Sequence, residues 1–265
     1  GEELADYTQS VYRTILAAGR SYQNACSGVT SKVYETIRKA LDTTLDLFPQ
    51  RATVACQGVE GAYSQIACDS IFKDPTILYF NTFEHVFKAV ESGMCQYGVL
   101  PIENSTAGSV NAIYDLMTKH NFSIVRSARL KVSHNLLCKH GVKKEDIKEI
   151  FSHQQAISQC AGYLSTLKGV KVTVVENTAL AAQMVAQSER RDVAALSSRF
   201  CGELYGLNLL EQNVQDQDNN YTRFICISKN PEIYPGADRT SLMMTLPHKP
   251  GALYNILSKF YALGI

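Results

Sequence analysis

The amino-acid sequence predicts an α/β fold, on three observations. Short apolar runs recur between Ala52 and Ser228, most are followed by a polar turn, and a stretch of helical spacing follows the turn. The runs ATVAC, TILYF, YGVLP, FSIVRS, EIFSH, KVTVV and DVAAL are the strand candidates, and their alternation with helices predicts largely parallel sheets. The region is long enough to divide into two lobes. The chain is expected to pass between them near Arg129 and again near Gln215.

Ahead of this region, Tyr7, Val11, Ile15 and Ala18 recur at helical spacing. After a break at Ser27 and Gly28, a second helix carries Val33, Ile37, Leu41 and Leu45, and Pro49 is expected to end it. Neither helix can bury its apolar stripe alone, so residues 1–49 are expected to pack on the main body, on another chain or on a further segment. Beyond the Pro and Gly punctuation of NPEIYPGADR come the strand-like SLMMTL, the turn PHKPG and the helix ALYNILSKFYALG. One strand and one helix bury too little surface to stand alone, so this reads as the opening of a larger module.

Lys and Arg number 26 against 25 Asp and Glu, so the net charge of +1 gives no overall pull toward nucleic acid or a membrane surface. The eight cysteines, at 26, 56, 68, 95, 138, 160, 201 and 226, lack the close pairs of a zinc site. Several lie in apolar stretches, where a free thiol behaves as a small buried hydrophobe, so no metal and a cytoplasmic location are expected. The start, GEELADYTQS, is unlike a secretory signal, and no segment approaches the ~18 apolar residues of a membrane span.

Polar clusters fall where a predicted strand ends and a helix is about to begin. Glu103, Asn104, Ser105 and Thr106 follow YGVLPI; Ser152, His153, Gln154 and Gln155 follow EIF; Asn177 and Thr178 follow VTVVE; Ser197 and Ser198 follow DVAAL. Ligands of open α/β folds bind at this edge, where helix N-termini offer unpaired N–H groups to a carboxylate or phosphate. Ser, Thr and Asn are also the preferred helix caps, so each cluster has a purely structural reading beside the functional one. The turn from Gln57 to Ser64 could bring backbone close to a ligand or simply join strand to helix. No Cys or Ser nucleophile with an evident His and Asp partner can be picked out, so covalent catalysis is not supported.

In order, the turn with Ala62-Tyr63-Ser64, then GVLPIENSTAGSV, SHQQAISQC, NTALAA, YGLNLL and NNYTRF closely resemble the prephenate dehydratase family over Ala52 to Ser228. One departure is Gln154, where the family usually has Pro. The resemblance implies two α/β lobes like those of type 2 periplasmic binding proteins, with the active site in the cleft between them. Residues 50–230 would form this domain, one lobe taking about 50–128 and 216–230 and the other about 129–215. The final segment, 239–265, resembles a truncated ACT (α+β) regulatory domain with Gly251, Ala252 and Leu253 as its glycine turn. QSVYRTILAAGRSYQ within residues 1–49 resembles the last helix of a chorismate mutase, beside an ordinary linker reading.

The implied reaction removes carbon dioxide and water from prephenate to give phenylpyruvate, without a cofactor. By the same resemblance Thr222 serves the leaving hydroxyl, and Asn104, Ser152 and Gln159 hold the substrate's oxygens. Ser105, Thr106, Gln155, Thr178 and Arg223 contact its carboxylates, and Phe224 shapes the pocket around the ring. Glu103 would repel a dianion and is given a structural role. A homo-oligomer and a phenylalanine effector in the full-length parent are also implied. Arogenate dehydratase and a non-catalytic ligand-binding module remain the competing readings.

Overall fold

The computed structural model describes residues 4–27 and 31–264. They fall into two units, 1–235 and 236–265. The first opens with helices α1 (Ala5–Cys26) and α2 (Lys32–Thr43). There follow β1 (Arg51–Gln57), α3 (Tyr63–Ile71), β2 (Asp74–Phe80), α4 (Phe83–Glu91), β3 (Tyr97–Asn104), β4 (Gly108–Ser109), α5 (Asn111–Lys119) and β5 (Ser123–Lys131). The chain then forms β6 (Asn135–Cys138), β7 (Glu149–Ser152), α6 (Gln154–Gln159), α7 (Ala161–Ser165), β8 (Lys171–Val174), α8 (Thr178–Gln187), β9 (Val193–Ser197), α9 (Arg199–Leu204) and β10 (Asn208–Glu211), before returning as β11 (Tyr221–Ser228).

These strands make two sheets, ordered β2-β1-β3-β11-β5 with β4 attached to β3, and β10-β6-β9-β7-β8. The mixed α/β class read from the sequence is what forms. The sheets are mixed rather than largely parallel. β1 runs parallel to β2 and β3, and β7 to β8 and β9, whereas β11 opposes β3 and β5 and β6 opposes β9 and β10. The reversal follows from the path: β11 is the returning strand, and it enters the first sheet between β3 and β5 from the opposite end.

The apolar runs show no polar alternation because both faces of each sheet are covered. On β11, Ile225 and Ile227 pack with Val86, Phe87 and Ile113 of α4 and α5, while Phe224 and Cys226 pack with Ala67, Cys68 and Ile71 of α3. The second sheet repeats this, with Leu136, Ile150 and Leu196 on one face and Leu137, Ala195 and α8 on the other. Burying each such Ile or Leu contributes about 1.5–3 kcal/mol. These layers fix the strand ends as rigid platforms.

Two elements differ from the sequence expectation. The second helix ends at Thr43 instead of continuing to Pro49: the Thr44 hydroxyl donates back to the Ala40 carbonyl at 2.6 Å and accepts the Ile233 N–H at 3.0 Å, drawing the chain onto the first unit. Leu45 therefore leaves the helical stripe. Ser27 caps α1, while Gly28 lies outside the described residues. The stripe of α1 is uncovered, with Tyr7, Val11 and Ile15 all more than half exposed.

In the second unit SLMMTL forms no strand, because a strand exists only by pairing and no ladder partner is found for it among the described residues. The regular element there is α10 (Ala252–Leu263), entered through Gly251 at φ +80°. Among the described residues no helix is long and apolar enough to cross a membrane.

Candidate active site

Strands β3 and β11 pair antiparallel with Thr222 opposite Asn104, so segments more than a hundred residues apart in sequence meet side by side. Buried Asn104 stands at the end of an apolar strand, and its Oδ1 accepts the Thr106 N–H at 3.0 Å, the Ala107 N–H at 2.9 Å and the Thr106 hydroxyl at 2.7 Å. Backbone N–H groups can only donate, so this amide has one orientation. Its Nδ2 then donates to Thr222 Oγ1 at 2.9 Å and to Asn220 Oδ1 at 2.8 Å.

From that fixed end the directions of the neighbouring bonds follow. Thr106 donates to Asn104 and accepts from Gln159 Nε2 at 2.8 Å; Gln159 Oε1 accepts from Asn220 Nδ2 at 3.0 Å. Asn104, Asn220, Gln159 and Thr106 thus close a ring in which every donor points the same way round. Such a ring polarises cooperatively, and reversing any one amide sets donor against donor. Thr222 receives a bond from the ring through its oxygen, which leaves its own proton available to another acceptor.

Gln159 belongs to α6 beside the second sheet, whereas Asn104, Thr106 and Thr222 belong to the first, so the ring joins the two. Ser105 adds a clamp: its hydroxyl donates to the Asn219 carbonyl at 2.7 Å and accepts the Tyr221 N–H at 2.9 Å. A cavity of about 420 Å³ opens beside the ring, lined by Ser105, Thr106, Ser158, Gln159, Asp216, Gln217, Asn219 and Asn220. Asn104 stands one hydrogen bond behind Thr106 and Asn220, and half-buried Thr222 one further, behind Asn104. The lining carries hydroxyl and amide donors and no cation; the Asp216 carboxylate accepts the Gly162 N–H at 3.1 Å.

The other sequence-derived candidates lie elsewhere. Ser152 is fully buried and its hydroxyl donates to the Leu196 carbonyl at 2.8 Å, tying β7 to β9. Phe224, expected around the ring of a ligand, is 2% exposed and packed with Val99 and Cys226 in the core. It is buried because both faces of β11 are covered from Phe224 onward. Gln155 is exposed at the start of α6, and half-buried Thr178 offers its carbonyl to Ser197. Arg223 is exposed opposite Glu103 in the ladder and makes no ion pair among the described residues. Gly251, Ala252 and Leu253 belong to the second unit.

Three of the polar clusters cap helices as well: His153, Asn177 and Ser198 each accept a backbone N–H at a helix start. The fourth does not, since Asn104 to Thr106 lead into β4 and not into a helix. Asn220, Asp216 and His134 were missed as participants. They sit in the two connectors between the sheets, where apolar periodicity gives no signal; the pair of asparagines before Tyr221 was the one local hint.

The glycine turn approaches protein instead of ligand. Cys201 donates its thiol to the Gly61 carbonyl at 3.2 Å and Tyr205 its hydroxyl to the Glu60 carbonyl at 2.7 Å, both from the second-sheet side. Gly61 has φ +90°, and a Cβ there would lie 3.0 Å from Cys201 Sγ and 3.1 Å from Leu204 Cδ2. Gly61→Ala is therefore expected to destabilise by about 1–3 kcal/mol through strain and overpacking. Thermal melts should show a larger drop than for Gly93→Ala, where φ is +79° and nothing lies within 4 Å; equal drops would mean the contact gives way freely.

Comparison with known proteins adds to this geometry. The prephenate dehydratase family model matches residues 54–232. The chain is 39% identical over 213 residues to arogenate dehydratase/prephenate dehydratase 2, chloroplastic, of Arabidopsis thaliana, covering 79% of this chain and 55% of that protein. It spans about half the length of the curated relatives it matches. The solved prephenate dehydratase from Arthrobacter aurescens in complex with L-Phe is 26% identical, with a TM-score of 0.67 over 79% of this chain and 72% of that one. The structure of GqqA, described as a novel type of quorum quenching acylases, is 32% identical, with a TM-score of 0.66 over 80% of this chain and 77% of that one. The matched stretch runs from β1 through β11 and so takes in both sheets and the whole hydrogen-bonded ring; the chain belongs to the prephenate dehydratase family.

Proposed function

We propose that the chain catalyses the dehydratase reaction on prephenate. The bond to the ring carboxylate breaks to release carbon dioxide, its electron pair enters the ring, and the ring hydroxyl departs with a proton as water, leaving phenylpyruvate. Aromatisation drives the step, so the protein's task is to hold a dianion and help hydroxide leave. The observation that carries this reading is the ring that fixes Thr222 as an acceptor from Asn104, with its own proton free for the departing oxygen. A threonine is a weak acid, so it orients that oxygen and relays a proton rather than supplying one from an acidic state.

In this reading Asn104 and Gln159 set the geometry and Ser105 and Thr106 face the carboxylates, whereas Gln155, Thr178 and Arg223, outside the cavity lining, keep a carboxylate role only through the family resemblance. Ser152 and Phe224 support the site from behind. Acylase chemistry, named in the description of GqqA, is less well served: Thr106 and Thr222 are bonded to carboxamides, which are not bases. The aminated substrate arogenate is the second reading, favoured by the name of the Arabidopsis relative.

The same reading treats 50–230 as the catalytic domain, with lobes of about 50–128 plus 216–230 and about 129–215, and residues 1–49 as a chorismate mutase remnant or linker. Residues 239–265 would be part of an ACT domain that takes a phenylalanine effector, as the L-Phe complex of the Arthrobacter relative suggests. The exposed stripe of α1 supports a homo-oligomer, and seven buried unpaired cysteines support a reducing compartment such as the cytoplasm. Incubating the purified chain with prephenate and with arogenate separately tests the activity. Phenylpyruvate with stoichiometric carbon dioxide is the expected product; a folded chain that turns over neither substrate overturns the proposal.

A further inference from the structure

We propose that His134 is a positioning residue that holds Gln159 and thereby reinforces the direction of the hydrogen-bonded ring reaching Thr222. The inference rests on the dehydratase reading. His134 lies in the connector between β5 and β6 and is 3% exposed. Its backbone N–H donates to Gln215 Oε1 at 2.9 Å and its carbonyl accepts the Val214 N–H at 2.8 Å, so each inter-sheet connector braces the other at this residue.

The imidazole Nε2 lies 2.8 Å from Gln159 Oε1. Because the ring makes Oε1 an acceptor, Nε2 must carry the proton, and Nδ1 is the bare nitrogen. Nδ1 is buried and has no hydrogen-bond partner among the described residues. Burial holds the imidazole below its usual pKa, consistent with a neutral ring. A side chain needed only for packing would be better as phenylalanine or leucine, which bury no lone pair. Among the described residues the single polar contact of this imidazole is Gln159, and that contact accounts for a histidine at this position.

The consequence reaches Thr222 by steps. If Gln159 turned over, Oε1 would face Thr106 and Nε2 would face Asn220, whose amide would have to turn as well. Asn220 Nδ2 would then oppose Asn104 Nδ2, and Asn104, pinned by two backbone N–H groups, could only loosen its hold on Thr222 or open the ring. The Nε2–H of His134 opposes the first of these turns.

The test uses the full chain. His134→Phe keeps a ring and removes the donor, and should lower kcat for prephenate about tenfold with KM changed less than about threefold. His134→Gln can return a donor to the Nε2 position, and kcat should recover to within about threefold of the parent. In a Gln159→Leu background His134→Phe should lower kcat no further, since its target is gone. Nitrogen NMR of the parent should show His134 protonated at Nε2 and bare at Nδ1.

A parental kcat in folded His134→Phe, a further loss in the Gln159→Leu background, or a bare Nε2 would each overturn the role while leaving the dehydratase reading intact. The NMR result decides even if His134→Phe fails to fold. A parent chain without turnover overturns the dehydratase reading and this role with it.

Discussion

Thr222→Val should reduce kcat for prephenate by about 10²- to 10⁴-fold, the usual worth of a positioned proton-transfer group. Valine matches threonine in volume and suits a strand, so β11 keeps its place between β3 and β5. The loss to stability is limited to one hydrogen bond from Asn104 Nδ2, about 1 kcal/mol, because Asn220 Oδ1 still accepts from the same amide. Thr222→Ser keeps the hydroxyl and should retain much of the activity. Steady-state assays paired with thermal melts separate the two effects. Turnover of Thr222→Val within a few-fold of the parent would remove Thr222 from the mechanism.

Two substitutions of Asn104 should act by different routes. Asn104→Ala deletes the acceptor of the Thr106 and Ala107 N–H groups together with both donors, so activity and stability fall together, the latter by about 2–3 kcal/mol. Asn104→Asp keeps an acceptor for the turn but cannot donate to Thr222. Thr222 would then turn its proton toward the carboxylate, and the added charge would repel a dianion. Asn220 would have to turn its amide to meet the buried carboxylate, so Asn104→Asp loses stability as well, while kcat drops at least about 10²-fold. Parental activity in Asn104→Asp would show that the orientation of the Thr222 hydroxyl does not matter.

The structural half of this protein was widely legible along the chain. Runs such as ATVAC, YGVLP and DVAAL announced β1, β3 and β9 because strands covered on both faces need uninterrupted apolar residues. β6 and β10 were not foreseen. Each has four residues, and NLLC and NLLE are too short to set a period. SLMMTL has the composition of a strand, yet strand formation depends on a partner that local composition cannot supply.

Residue chemistry and order along the chain were enough to establish the α/β class, the family and the segments that would meet at a site. Which side chain serves which purpose was decided by the tertiary structure. Thr222 faces Asn104 through a cross-strand register, Phe224 is buried under α3 on a strand covered on both faces, and Ser152 is committed to Leu196. His134 and Asn220 gain their places because two aperiodic connectors pass the same point. A hydrogen bond is short and directional, so its partners are set by where distant segments are packed, whereas burial acts on each segment's own composition and can be read one stretch at a time.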